Sequence, residues 1–333
     1  MATMADAKEA KIREPEEIGI DEIEGFKIGH AQDERGATGC TVVLCERGAV
    51  AGVDVRGRAP ATRETDLLRA DNTVERVHAV MLSGGSAFGL DACAGAMAFL
   101  EERGVGFDAG VAVVPIVCGA SLFDLVVGDA KARPDKAMGY AACENAGKDA
   151  PAEGNVGAGT GATVGKYLGP ARMMKSGLGI YAMRAGDVKC GALVAVNALG
   201  DVFDADTGQA IAGLLNEDGT ALVRTERILY AEMGARREVF SGNTTLGCVL
   251  TNARLTKPEA GRLASAAHNG FARAIRPVHT SADGDAIFAL SAGEAEASPD
   301  ALGSLAALVM ARAVARAVRA AKSAYGLIGA AGL

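Results

Sequence analysis

The sequence predicts one α/β domain across residues 1–333, a largely buried sheet covered by helices. Three observations carry that reading. Residues 192–196 and 246–250 are continuous apolar runs without the alternation of a half-exposed strand, so they read as strands buried on both faces. Such runs interleave with Ala-rich segments of helical length, notably after Ser86 and after Thr256. No repeat, low-complexity tract or linker-like seam divides the 333 residues, which supply ample core for one domain.

Composition narrows the function. Hydrophobic residues make up 49% and charged residues 23%, the mix of a globular protein rather than a disordered one. The net charge of −7 argues against a partner with a phosphate backbone, and 9 Phe, 5 Tyr and no Trp leave little for base stacking. No nucleic-acid partner is expected. The longest apolar stretch, residues 110–120, is too short for a bilayer and contains a proline, so no membrane partner is expected either. The first residues lack the apolar core of a secretory signal. Seven cysteines, an odd number without a C-x-x-C pair, fit a reduced, cytoplasmic protein. Four histidines without ligand spacing make a metal site an unneeded assumption.

The elements follow in order. Residues 1–17 read as a frayed lead. The apolar runs 39–44 and 49–55 flank Cys45-Glu46-Arg47-Gly48 and suggest a hairpin. Residues 77–82 form a strand that enters Ser83-Gly84-Gly85-Ser86, with Ser86 as N-cap of a helix over 87–103. Residues 111–117 read as a buried strand. Pro134-Asp135 turns the chain into a short helix within 130–148, and residues 154–165 form a glycine-dense loop. Thr256 and Glu259 make a capping box for a helix that runs to about Ile275. Residues 286–290 alternate as a strand. Ser298 as N-cap and Pro299 at the first helical position open a last helix that runs to about Tyr325.

Several segments could carry chemistry. The glycine loop fails as a phosphate loop, because Thr160 stands where G-x-x-x-x-G-K-S/T needs Gly and Tyr167 follows Lys166. Gly157 to Ala162 satisfies G-x-G-x-x-A, but without a strand directly before it. The plain alternative is a backbone passing close to something, with Lys166 solvated or set in a cleft. Ser86 sits one residue off a G-x-S-x-G elbow, and Asp124 and His279 could complete a triad, although no spacing selects them. Ser241-Gly242-Asn243-Thr244-Thr245 runs into a buried strand and reads, on its own, as a turn. In His279-Thr280-Ser281-Ala282-Asp283-Gly284-Asp285, two carboxylates flank a glycine. They are turn acids, metal ligands or a cradle for an ammonium group. Asn197 ends a buried strand, where it either satisfies backbone groups or aims an amide at an oxyanion.

Taken together, these segments resemble the self-processing hydrolases that include the D-/L-aminopeptidase-esterases, the β-peptidyl aminopeptidases and the nylon-oligomer endo-hydrolase. The carrying stretches are LSGGSAFGL (82–90), VPIVCGASLFDL (114–125), PDKAMG (134–139), the loop 154–166, GNTTLGCVLTN (242–252) and VHTSADGDAIFAL (278–290). The resemblance runs from about Gly39 to the C-terminus. The combination of glycine loop, N-T-T and H-T-x-x-D-G-D is specific, while no single piece is. It implies a four-layer αββα sandwich of the aminopeptidase and ornithine-acetyltransferase type.

The resemblance also implies a mechanism. The chain would cleave itself at Asn243–Thr244 into an α chain, 1–243, and a β chain, 244–333. Thr244 would become an N-terminal nucleophile whose own α-amine, of pKa ~7.7–8.0, serves as base. By the same match, Lys166 lends positive charge, Asn197 is an oxyanion-hole amide, and Asp283 and Asp285 bond around the β-chain amine. Some relatives have a tyrosine where this chain has Phe123, which cannot donate a hydrogen bond. Thr at 244 aligns the chain with the nylon-oligomer hydrolase side. The implied reaction is amide hydrolysis, by an aminopeptidase or an endo-acting oligoamide hydrolase, on a small peptide or oligoamide substrate and without cofactor or metal. A homo-oligomer, a tetramer of αβ units, is expected by the same analogy. Three alternatives stand beside this reading: an acyltransferase of the ornithine-acetyltransferase type, a Ser86-based α/β-hydrolase, and a processed but inert binding protein. The first is disfavoured because that relative processes at Ala-Thr-Met where this chain has Asn-Thr-Thr.

Overall fold

Among the described residues, ten strands hydrogen-bond into one continuous sheet that curls back on itself. The computed structural model describes residues 14–234 and 242–333. The strands are β1 (Glu16–Ile18), β2 (Lys27–Asp33), β3 (Thr38–Val55), β4 (Ala61–Arg63), β5 (Arg76–Ser83), β6 (Val117–Ser121), β7 (Leu178–Ala185), β8 (Val188–Ala195), β9 (Leu246–Ala253) and β10 (Ala286–Ala295). Their order is β1-β7-β8-β9-β10-β3-β5-β6-β4, with β2 also paired to β3. The helices are α1 (Ala92–Glu101), α2 (Lys136–Asn145), α3 (Thr225–Ala231), α4 (Lys257–Ala274) and α5 (Pro299–Ala320).

The long strand β3 makes the curl. Its first half pairs with β2 and β5, from Cys40↔Ser83 to Leu44↔Ala79, and its second half pairs with β10, from Val50↔Ser291 to Val55↔Ala286. The ladder to β5 slips between Leu44 and Ala49, where Glu46 and Arg47 reach solvent. The expected hairpin over 39–55 is therefore a single bent strand. The first run pairs with β2 and β5 and the second mainly with β10, with β5 bridging the slip through Ala49 and Val50, so the chain continues without a turn.

Burying both faces of the curled sheet gives four layers. Val43, Val80, Leu82, Leu193, Leu246 and Phe288 fill the space between its two halves. Helices α4 and α5 cover one outer face through Leu263, Phe271, Val309 and Val314 against Val194, Val249 and Ile287. Helices α1 and α2 cover the other through Ala96, Leu100 and Ala142 against Val42 and Met81. This is the αββα sandwich that the resemblance implied. By length and apolarity α5 matches a bilayer span, but most of it is buried in the core, as suits a helix sandwiched against a sheet.

Local details depart from expectation at several places. Residues 1–13 and Ser241 lie outside the described residues, while Glu16 and Glu17 belong to β1 rather than to a frayed lead. Residues 86–91 form a 3-10 turn before α1, and Gly85, not Ser86, occupies its N-cap. The chain enters that turn through two left-handed residues, Gly85 and Ser86, and no side chain caps it. Of the run 111–117, only its end joins the main sheet, in β6. Val113 and Val114 form a small hairpin with Phe107 and Asp108, and Val111 is fully exposed. Helix α5 stops at Ala320, five residues early. Thr256 does start α4, with its N–H donating to Glu259 Oε2 at 2.8 Å.

Candidate active site

The topology explains why residues far apart in sequence meet. Strands β9 and β10 are parallel neighbours joined through α4, so the residues leading into each lie side by side. Asn243-Thr244-Thr245 precedes β9 and Asp283-Gly284-Asp285 precedes β10, and a bridge pairs Asn243 with Asp283. Strand β8 runs antiparallel to β9, with Ala195 opposite Leu246. Asn197, two residues past its end, therefore arrives at the same place. The glycine loop comes in from the other side, where Lys166 N donates to Leu199 O at 3.0 Å.

The Asn243–Thr244 bond lies at the centre. Thr244 is buried, with its Oγ1 2.5 Å from the carbonyl oxygen of Asn243. That oxygen also accepts the Gly284 N–H at 2.9 Å. Thr244 N donates to Asn197 O at 2.9 Å. A side chain at 284 would collide with this arrangement, because a Cβ there would stand 2.7 Å from Thr244 Oγ1 and 2.5 Å from Ala59 O.

Lys166 is buried with its ammonium fully engaged. It donates to Asn197 Oδ1 at 2.7 Å, Asn197 O at 3.1 Å and Gly242 O at 3.2 Å. Three acceptors match the three protons of the charged form and leave no lone pair to act as a base. Burial pulls its pKa down to about 7, against the upward pull of Asp283, Asp124 and Asp285. Asn197 Oδ1 also accepts from Thr163 N at 3.1 Å. Its Nδ2 donates to the main-chain oxygen of Phe123 at 2.9 Å and lies 3.5 Å from Gly242 O. In the intact chain, then, the reacting carbonyl oxygen accepts from the Thr244 hydroxyl itself and from the backbone N–H of Gly284, and the Asn197 amide spans Phe123 and Gly242.

The two carboxylates frame the centre through backbone groups. Asp283 accepts from Thr280 N at 2.8 Å, from Thr280 Oγ1 at 2.6 Å and from Leu199 N at 3.4 Å. Burial, with Asp285 beside it, raises its pKa to about 6. Asp285 accepts Thr245 N at 2.7 Å on one oxygen and His279 Nδ1 at 2.8 Å on the other. The structure thus brings together Thr244, Asn243, Lys166, Asn197, Asp283 and Asp285. In the intact chain neither carboxylate is bonded to Thr244 N, which is given to Asn197 O.

The rival constellations separate. His279 pairs with Asp285, while Asp124 accepts Thr38 Oγ1 and Gly85 N, each at 2.7 Å, so Ser86, His279 and Asp124 form no relay. The G-x-G-x-x-A stretch makes a 3-10 turn and then a two-residue strand, with none of the helix that a dinucleotide fingerprint needs. The glycine loop does pass close to other backbone: a Cβ on Gly165 would fall 2.0 Å from the carbonyl carbon of Gly213.

Two participants went unread in the sequence. The Gly284 N–H is a backbone donor with no side-chain signature. Lys175, also fully buried, ties Gly159 O and Ala162 O of the glycine loop at 3.0 and 3.1 Å, and burial lowers its pKa to about 7. A lysine between Met174 and Gly177 in an apolar stretch was the available clue.

This geometry belongs to a known class. The sequence profile of peptidase family S58 matches residues 19–331, and the chain belongs to that family of amide-bond hydrolases. It is 43% identical over 299 residues to an uncharacterized aminopeptidase of Mycobacterium tuberculosis, covering 85% of this chain and 83% of that one. It is 34% identical over 274 residues to a 6-aminohexanoate-oligomer endohydrolase of an Agromyces species, covering 81% and 74%. Among solved structures, the L-aminopeptidase D-Ala-esterase/amidase of Ochrobactrum anthropi superposes with a TM-score of 0.67 at 18% identity, over 91% of this chain and 86% of that one. A Burkholderia β-aminopeptidase gives 0.66 at 20% identity, over 93% and 90%. The shared architecture is a variant of the N-terminal-nucleophile hydrolase fold.

Proposed function

We propose that the chain is an autoprocessing N-terminal threonine hydrolase. Thr244 cleaves the Asn243–Thr244 bond to give an α chain, 1–243, and a β chain, 244–333, and then hydrolyses amide bonds in small peptides or oligoamides. The observation that carries this reading is the Thr244 hydroxyl lying 2.5 Å from the Asn243 carbonyl oxygen while Gly284 N–H holds that oxygen.

In self-cleavage, Oγ1 adds to the carbonyl carbon of Asn243. Negative charge grows on an oxygen that already faces the Gly284 donor, so little reorganisation is needed. The Lys166 ammonium, bonded to the preceding carbonyl of Gly242, adds positive charge beside it. The C–N bond then breaks, the hydroxyl proton ends on the departing nitrogen, and an ester joins Asn243 to Thr244. Water hydrolyses the ester, leaving a carboxylate on Asn243 and restoring the hydroxyl of Thr244. The released α-amine, with an ordinary pKa of ~7.7–8.0, then takes the hydroxyl proton when a substrate carbonyl arrives. Lys166 and Asn197 remain beside that centre.

The names of the relatives support amide substrates of two kinds, aminopeptidase substrates and 6-aminohexanoate oligomers. Turnover of p-nitroanilides, β-peptides and 6-aminohexanoate oligomers, before and after mild acylation of the β-chain N-terminus, tests the reading. Acylation should abolish hydrolysis. Hydrolysis that survives a fully blocked Thr244 amine but vanishes in a folded Ser86→Ala variant contradicts it. Acetyl exchange between acetyl-ornithine and glutamate in place of hydrolysis would make the protein a transferase.

A further inference from the structure

We propose that His279 is a positioning residue for the nucleophile, acting through Asp285 and the Thr245 N–H. The inference rests on Thr244 being the nucleophile and adds a residue that this reading does not use.

The hydrogen bonds fix the direction of the relay. Asp285 holds the amide directly after Thr244, with Thr245 N donating to Oδ1 at 2.7 Å. The other oxygen accepts both the main-chain N–H of His279, at 3.2 Å, and its ring Nδ1, at 2.8 Å. An ionised carboxylate only accepts, so Nδ1 carries the proton. The ring itself is held by α4. His268 stands edge-on to it with centroids 4.8 Å apart, and Phe271 lies 6.3 Å away. His268 is anchored in turn by Nε2 on the main-chain oxygen of Asp54 at 2.9 Å. That oxygen also only accepts, so the ring nitrogens left over are His268 Nδ1 and His279 Nε2. Both are buried without a hydrogen-bond partner among the described residues. An orphaned buried nitrogen costs free energy. The arrangement thus accepts two unsatisfied nitrogens while directing one ring N–H at Asp285. The backbone pays as well, because His279 sits at φ 56°, where a residue with a Cβ is disfavoured. Packing alone would be met by a leucine or phenylalanine, which would bear the same backbone strain but leave no ring nitrogen unsatisfied. The donor to Asp285 is what such residues lack.

The test separates donor from backbone. Asn tolerates left-handed φ and can place an N–H near the position of Nδ1, Gly tolerates it without a donor, and Asp tolerates it with a second carboxylate. The readouts are the first-order rate of self-cleavage of the full chain and, for matured enzyme, kcat and KM on one amide substrate. His279→Gly should slow self-cleavage and kcat by about 10- to 100-fold, with KM little changed, as expected when a reacting group loses its alignment. His279→Asn should recover most of that loss. If the Gly variant does not fold, the Asn and Asp variants decide, with Asn fast and Asp slow. Equal rates in Asn and Asp, or wild-type rates in a folded Gly variant, overturn the proposal. Cleavage at the same bond in Thr244→Ala would overturn the reading beneath it, so the two failures are distinguishable.

Discussion

The reacting carbonyl in this protein is served by a glycine. Gly284 is the residue that can both approach Thr244 and present its N–H to Asn243 O, since a Cβ there would meet the nucleophile oxygen at 2.7 Å. Gly284→Ala should therefore accumulate uncleaved chain, seen as a single band by mass or gel, with slowing of ~10²-fold or more. Asn197→Ala should also slow processing, by ~10²–10³ if its amide donates to an oxyanion once the site opens. It removes as well the Oδ1 that holds Lys166 Nζ and Thr163 N, and near-wild-type rates would make that amide a structural brace. These residues were unequally legible. The side chains of Thr244, Lys166, Asn197, Asp283 and Asp285 were nominated through the family resemblance, since on their own they also read as a turn, a solvated charge, a strand-end amide and turn acids. The Gly284 donor could not, because a backbone N–H is common to nearly every residue. His279 was visible as a residue, but its partner was not, since nothing in the spacing chooses Asp285 over Asp124.

At the scale of elements, the site is a product of strand direction. The residues before β9 and before β10 are about 40 apart in sequence, and only the parallel pairing of those strands makes them neighbours. The first strand was legible as an apolar run, the second was read as alternating although residues 286–291 are buried throughout, and α4 was legible from its Thr256 cap. The parallel direction was not legible, because periodicity carries no strand direction. The bent strand β3 was misread because exposed Glu46 and Arg47 interrupt its burial and mimic a turn. Helix caps give a prediction that belongs to this scale. Asp135 caps α2 by accepting Met138 N at 2.8 Å. Asp135→Ala should lower unfolding stability by about 1 kcal/mol in a denaturant titration. Self-cleavage should continue at its normal rate, since α2 lies in the outer layer away from Thr244.

For the whole molecule, burying ionisable groups at the centre of four layers ties stability to pH. Native Asp283 titrates near 6, against an ordinary 3.8, so between about pH 4 and 6 its contribution to stability falls as pH rises, while His30 and His268, lowered by burial to about 4, contribute in the opposite sense over the same window. Native Lys166 and Lys175 titrate near 7, against 10.5. Across about pH 7 to 9 these two amines therefore bind more protons in the unfolded chain and stability rises with pH; above about 9 the seven buried thiols, all raised by burial, oppose the rise. Urea midpoints of the Thr244→Ala chain should trace this alkaline limb, rising from about pH 7 to 9. Lys166→Met should flatten part of the alkaline limb and leave the rest to Lys175. An alkaline limb that is level in the parent chain would show that the two buried amines stay charged.

The central claim is that the chain becomes active by cutting itself at Asn243–Thr244, and intact mass with N-terminal sequencing of the purified protein tests it most directly. The 33.7 kDa chain should yield pieces of roughly 25 and 9 kDa, the smaller beginning Thr-Thr-Leu-Gly. Thr244→Ser should still divide, and Thr244→Ala should remain whole. A Thr244→Ala chain that breaks at the same bond and at the same rate would contradict the account.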